Sequence, residues 1–86
     1  MDDLRAAFGQ RVKGRREALR LSQEALAERA GLDSTYVSGI ERGRRNPGLN
    51  SLQRLAVALE TTLPDLLRDL RPQAAAEIKR GRPRKA

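Results

Sequence analysis

SQEALAERAGLDSTYVSGIERG, residues 22–43, decides the fold. Ser22 is a favoured N-cap, since its hydroxyl can accept from an orphan backbone N–H of the first helical turn. After it, Ala25, Leu26 and Ala30 recur at the spacing of one inward helical face, so the segment Gln23 to Ala30 is expected to be a short helix. Gly31 ends it, as a residue in the left-handed conformation would. Leu32 is expected to be buried in the turn. Asp33 caps a further helix, Ser34 to Arg42, which Gly43 closes.

Helical periodicity extends on both sides. Leu4, Phe8, Val12 and Leu19 form an apolar stripe on a first helix, and Asp2 and Asp3 lie where a helix N-terminus favours acids. Gly14 is out of place there, at a cost of about 1 kcal/mol relative to Ala. The stretch RRNPG (44–48) is a loop by its Asn-Pro-Gly chemistry. A fourth helix follows, with Gly48 or Asn50 as its cap and Leu49, Leu52, Leu55, Ala56 and Leu59 on its apolar face. Thr62 opens a fifth, with Pro64 tolerated in the first turn and Asp65 three residues past the cap. There is no strand signal and no internal repeat. After Pro72 the periodicity fades into AAAEIKR and GRPRKA. The expected organisation is one all-α domain over 1–71 and a basic, disordered tail over 72–86.

The chain has 86 residues, no Cys and no His, which removes disulfides, thiol chemistry, zinc fingers and imidazole bases. No nucleophile–base pair is visible, so an enzyme is not expected, and neither a cofactor nor a metal. No apolar run approaches the roughly 18 residues of a membrane span and no signal-peptide pattern opens the chain; a cytoplasmic protein with no membrane contact is expected. The net charge is +7, of which +4 lies in residues 72–86. Such an excess favours polyanions. With one Phe, one Tyr and no Trp, the chain lacks the aromatic platforms of single-strand readers.

At about 100° per residue, Ser34, Thr35, Ser38, Gly39 and Arg42 share an arc of roughly 140° on the third helix. Tyr36, Val37, Ile40 and Glu41 take the opposite arc. Short hydroxyls hydrogen-bond at close range and suit a surface that meets base edges in the major groove, which admits one helix. Gly39 there is expected to remove bulk where a partner presses in. Two short helices joined at Ala30-Gly31-Leu32 form a helix-turn-helix arrangement, whose second helix reads DNA. Gln23, at the start of the first, can offer its amide and nearby backbone N–H groups to a phosphate. Arg42, Arg44 and Arg45 cluster at the far end, placed to hold the backbone or enter a groove. Glu41 lies inward and needs a cation, with Arg15 and Arg16 as candidates for a structural ion pair.

These residues resemble the phage-repressor-type (Cro/CI, or XRE) helix-turn-helix regulators over roughly residues 4–70. The resemblance is carried by S-Q-x-x-L-A, A-G, Y-V-S-x-I-E-x-G, then Pro and a leucine-rich helix, all in register. It implies a five-helix, all-α, lambda-repressor-like domain that binds double-stranded DNA as a dimer. It implies that Gln23 touches phosphate, that Ser34, Thr35, Ser38 and Gly39 face the major groove, and that Arg16 pairs with Glu41. DSTYVSGIERGRRNP (33–47) is similar in particular to the controller proteins of restriction–modification systems. That likeness implies that Thr35, Tyr36, Ser38 and Arg45 lie at the DNA and that the last helix forms the dimer interface. Ser34 departs from it, standing where such proteins often carry a longer, basic reader.

Leu63, Leu66, Leu67 and Leu70 exceed what one face of a short helix needs for its own core, and exposed apolar patches mark interfaces. A two-fold homodimer reading a near-palindromic operator follows, with half-sites one helical turn apart or a multiple. In the tail, Arg80-Gly81-Arg82-Pro83 resembles an AT-hook core, flanked by Lys79, Arg84 and Lys85. It is expected to enter the minor groove or to contact phosphates as a disordered arm. The expected function is a sequence-specific transcriptional regulator without a small-molecule ligand. The rivals are an antitoxin or controller acting on its own operon, and a helix-turn-helix module that bridges proteins without a specific DNA site.

Overall fold

Five α-helices follow one another along residues 4–72, the part of the chain that the computed structural model describes: α1 (Leu4–Ala18), α2 (Gln23–Ala30), α3 (Ser34–Glu41), α4 (Leu49–Ala58) and α5 (Leu63–Leu67). The tail residues Lys79, Arg80, Arg82, Arg84 and Lys85 lie outside the described residues, as do Asp2 and Asp3.

Three helix starts are fixed by side chains. Ser22 Oγ accepts from Ala25 N at 2.9 Å, Asp33 Oδ1 from Thr35 N at 2.7 Å and Thr62 Oγ1 from Asp65 N at 3.1 Å. Each removal costs about 1 kcal/mol. The cap of α4 is Gly48 rather than Asn50, and it makes no side-chain hydrogen bond. Four helices end earlier than expected: α3 stops at Glu41 with Arg42 as its C-cap, and α1, α4 and α5 stop at Ala18, Ala58 and Leu67, short of Leu19, Leu59 and Leu70.

Helix ends repeat one device. Gly31 is left-handed (φ 68°); its N–H reaches Glu28 O at 3.2 Å and the next N–H, of Leu32, reaches Ala27 O at 2.9 Å. That pair of bonds is the Schellman motif. The same two bonds close α1 around Arg20 (φ 60°) and α4 around Glu60 (φ 60°). There a side chain occupies a conformation that costs roughly 1 kcal/mol outside glycine.

Every helix contributes to a single core. Phe8 and Val12 come from α1, Leu26, Ala27 and Ala30 from α2, Val37 and Ile40 from α3, Leu55, Ala56 and Ala58 from α4 with Leu59 at its end, and Leu66 from α5. Leu19, Leu32, Leu52, Leu63 and Leu70 pack half-buried against it, so Leu32 is less enclosed than its place in the turn suggested. Leu49 belongs to no core face. It is 72% exposed, because the apolar stripe of α4 turns inward only from Leu52 onward.

α1 lies closest to α3. A Cβ on Gly9 would stand 2.4 Å from Ile40 O and 2.6 Å from Glu41 O, so only glycine lets the two backbones meet at this crossing. Gly14, five residues on, has nothing within 4 Å of the same position, and the structure gives it no role. The arginines of α1 fasten the other end of the chain. Arg11 Nη1 donates to Leu66 O at 3.0 Å; Arg15 donates to Leu59 O and Glu60 O at 2.9 and 3.0 Å. These carbonyls lie at the ends of α5 and α4, where unsatisfied oxygens collect and cations are favoured.

Candidate nucleic-acid interface

The second helix of the turn is held in place by one buried carboxylate. Glu41, at the end of α3, is 6% exposed. Arg16 grips it with two bonds, Nε to Oε2 at 2.6 Å and Nη2 to Oε1 at 3.0 Å, while its Nη1 donates to Leu21 O at 2.7 Å. Gln23 Nε2 donates to Oε1 at 3.0 Å. One carboxylate therefore joins α1, the turn after it, the start of α2 and the end of α3. The Glu41 hydrogen bond, with the attraction of Glu41, Glu17 and Glu24, holds the Arg16 guanidinium above its ordinary value despite its burial. Of the two cations that the sequence offered to Glu41, Arg16 is the partner. Arg15 is spent on the end of α4.

Gln23 has a second character as a result. It occupies the first position of α2, where backbone N–H groups point outward, but its side-chain amide is turned toward Glu41. A phosphate at this helix start would meet the backbone donors first.

With α3 fixed, its outer arc is Thr35 and Arg42, exposed, and Ser34, Ser38 and Gly39, half-buried. Tyr36, half-buried, packs on the core by one edge and lies under Arg45, whose guanidinium is 5.4 Å from the ring centroid. Arg42, Arg44 and Arg45 are exposed, and none makes an ion pair among the described residues. Several cations elsewhere in the fold are already engaged. Arg11, Arg15, Arg16, Arg29 and Arg54 all bond to carbonyls or carboxylates of the fold. Composition alone does not sort these cations. The structure leaves positive charge facing solvent beside the hydroxyl arc of α3.

Two expectations change here. The space beside Gly39 does not stand open for a partner, because the stem of Arg45 fills it: a Cβ there would lie 2.6 Å from Arg45 Cγ. Leu66 is 2% exposed inside the core, which leaves it no surface to offer a second copy. The apolar surface near α5 consists instead of Leu67 (37% exposed), Leu4 (48%) and the half-buried Leu52 and Leu70, around a shallow recess floored by Phe8. Gly9 was missed altogether. Its signal was a glycine set in the apolar stripe between Phe8 and Val12. Among the described residues there is no cluster of metal-ligating side chains, and no helix is long and apolar enough to cross a membrane.

A glycine-turned helix pair with its second helix outward, cored by five helices, defines a helix-turn-helix domain. Residues 12–66 match the helix-turn-helix family, and the chain belongs to that family of DNA-binding transcriptional regulators. It is 41% identical over 71 residues to the control protein C.MunI of Mycoplasma sp, covering 81% of this chain and 96% of that one. It is 43% identical over 65 residues to the control protein C.SmaI of Serratia marcescens, covering 76% and 77%. Among solved structures, the restriction-modification controller protein C.AhdI of Aeromonas hydrophila superposes with a TM-score of 0.70 at 48% identity, over 71% of this chain and 92% of that one.

Proposed function

We propose that the protein binds a near-palindromic operator as a homodimer, with α3 in the major groove. Thr35, Ser34 and Ser38 meet base edges, and Arg45, seated on Tyr36, reads or clamps at the far end. Arg42 and Arg44 hold phosphates, and the start of α2 at Gln23 holds another. The observation that carries this reading is the Arg16–Glu41–Gln23 network. It immobilises the hydroxyl-bearing helix from behind and ties it to the phosphate-facing start of α2, so that backbone contact and base contact share one register. The recess edged by Leu4, Leu67 and Leu70 is the proposed dimer face. A chain of this size gains stability by covering such a surface.

Selection from a random duplex pool, run on the full chain and on a chain ending at Arg71, tests the reading. A palindromic site is expected from both chains. Thr35→Ala with Ser38→Ala abolishes the preference while leaving non-specific binding intact. The tail contributes affinity: truncation makes the slope of log K against log salt shallower by about 4.5, as loss of five phosphate contacts requires. Enrichment of AT-rich sequence alone, lost on truncation, would move DNA binding from α3 to the tail and refute the assignment. Leu67→Asp is expected to yield a monomer in sedimentation.

The likeness to control proteins, which in C.MunI extends over nearly that whole protein, favours a second, finer role. In it the regulator's own operon carries its operator together with the genes of a restriction–modification system. Footprinting upstream of its gene tests that role; an operator found only elsewhere would remove it.

A further inference from the structure

Gly39 and Tyr36 lie one turn apart on α3 and together make a slot for one side chain. The chain doubles back after α3 because Gly39 O accepts from two successive N–H groups, Arg44 at 2.8 Å and Arg45 at 3.3 Å. That turn lays the Arg45 stem on the bare Cα of Gly39. A Cβ placed there would stand 2.6 Å from Arg45 Cγ, 3.5 Å from Nε and 3.6 Å from Cδ. Beyond the glycine, the guanidinium rests over the Tyr36 ring at 5.4 Å.

We propose that Gly39 is a positioning residue for DNA reading: it acts through Arg45, whose guanidinium it aims by leaving the stem a path to Tyr36. An arginine is rich in rotamers, and ordering it before contact removes part of the entropy that binding would otherwise cost. The three atoms nearest to an added methyl at residue 39 all belong to the Arg45 side chain. That side chain is exposed and free to swing out, whereas the helix backbone is hydrogen-bonded in place. Alanine therefore displaces the guanidinium from the ring and leaves α3 intact. Gly39 has this effect without touching DNA. The inference rests on the proposed reading that Arg45 meets the operator.

The test is a double-mutant cycle of Gly39→Ala and Arg45→Ala in the full chain. It is read as the ratio of affinities for the selected operator and a scrambled duplex at fixed salt, with Tm and the Arg45 side-chain proton shifts of the free protein alongside. Arg45→Ala is expected to lower the ratio by about tenfold or more, the scale of one lost arginine–base contact. Gly39→Ala is expected to lower it by about fivefold, with a Tm no lower than the parent's, since alanine is the better helix former. In the free protein it abolishes the ring-current shift that Tyr36 imposes on Arg45. The double variant is expected to be no worse than Arg45→Ala alone, because the two act in series. Additive losses would overturn the inference and give Gly39 a direct approach to DNA. A ring-current shift retained in Gly39→Ala would overturn it too. An unchanged ratio in Arg45→Ala would fail one step earlier, at the reading that Arg45 meets the operator, and would take the inference with it.

Discussion

Two glycine-to-alanine changes in one helix should have opposite signs. At Gly9 the new methyl would lie 2.4 Å from Ile40 O, 2.6 Å from Glu41 O and 2.8 Å from Glu41 C, all of them backbone atoms. None can rotate aside, so α1 and α3 must part by about 1 Å. A gap of that size forfeits up to about half of the dispersion energy of each contact across it. Phe8 and Val12 of α1 share one core with Val37 and Ile40 of α3, and the separation also pulls Glu41 from Arg16. Overpacking of this kind costs about 3 kcal/mol. The better helix propensity of alanine returns about 1 kcal/mol, leaving a net loss of about 2 kcal/mol. At about 4–8 °C per kcal/mol for a domain of this size, Tm falls by roughly 8–16 °C. At Gly14 nothing lies within 4 Å, so only the propensity gain of up to about 1 kcal/mol remains and Tm rises by a few degrees. Urea melts of both variants, with m unchanged, measure the pair. If Gly9→Ala matches Gly14→Ala, the α1–α3 crossing is not set by the glycine and the reasoning is refuted.

Glu41→Ala, which strands Arg16 in a largely buried position, is expected to cost about 3 kcal/mol in the same urea melts, whereas replacing both partners by Leu and Met stays within about 1 kcal/mol of the parent. The double variant would separate stability from register: its operator preference falls although its midpoint does not. Arg20→Gly relieves a left-handed arginine and is expected to add about 1 kcal/mol in thermal unfolding; a loss would show that the Arg20 side chain matters more than its backbone. The Asp65 carboxyl is held below the ordinary aspartate range by its hydrogen bond to the Arg68 guanidinium. A depressed folded value means that its contribution is complete above the unfolded-state value and fades as pH falls through the folded one. Arg68→Ala is therefore expected to move the NMR titration of Asp65 upward and to leave stability unchanged in its pH dependence above about pH 6.

Much of this could be read directly from the residues. Ser22, Gly31, Asp33 and Thr62 are local signals, and each acts through a hydrogen bond within a few residues of itself, so they placed the ends of α2 and the starts of α3 and α5. The α1–α3 ion pair was reachable because an inward carboxylate demands a cation, although resemblance rather than periodicity favoured Arg16 over Arg15. What escaped was long-range. Gly9 owes its identity to carbonyls more than 30 residues away, and Gly39 owes its own to a stem that folds back from the loop. Leu66 and Leu67 are adjacent leucines in the same five-residue helix; only the direction in which α5 docks decides that one is core and the other surface. Leucine counting named Leu67 and Leu70, which line the recess, but could not separate them from Leu66, which the core takes.

The arginines of α1 have a consequence for the order in which the molecule is made. Arg11 and Arg15 close on the carbonyls of Leu66, Leu59 and Glu60, partners separated from them by 44 to 55 positions. α1 is therefore made well before the oxygens it caps on Leu59, Glu60 and Leu66. Domains generally fold as units during synthesis, and surface exposed in the interval is prone to aggregate. The nascent chain can thus seat α2 and α3 on α1 through the Gly9 crossing and the Arg16–Glu41 pair as soon as α3 is made, whereas Arg11, Arg15 and the side of α1 that faces α5 stay uncovered until translation has passed Leu66.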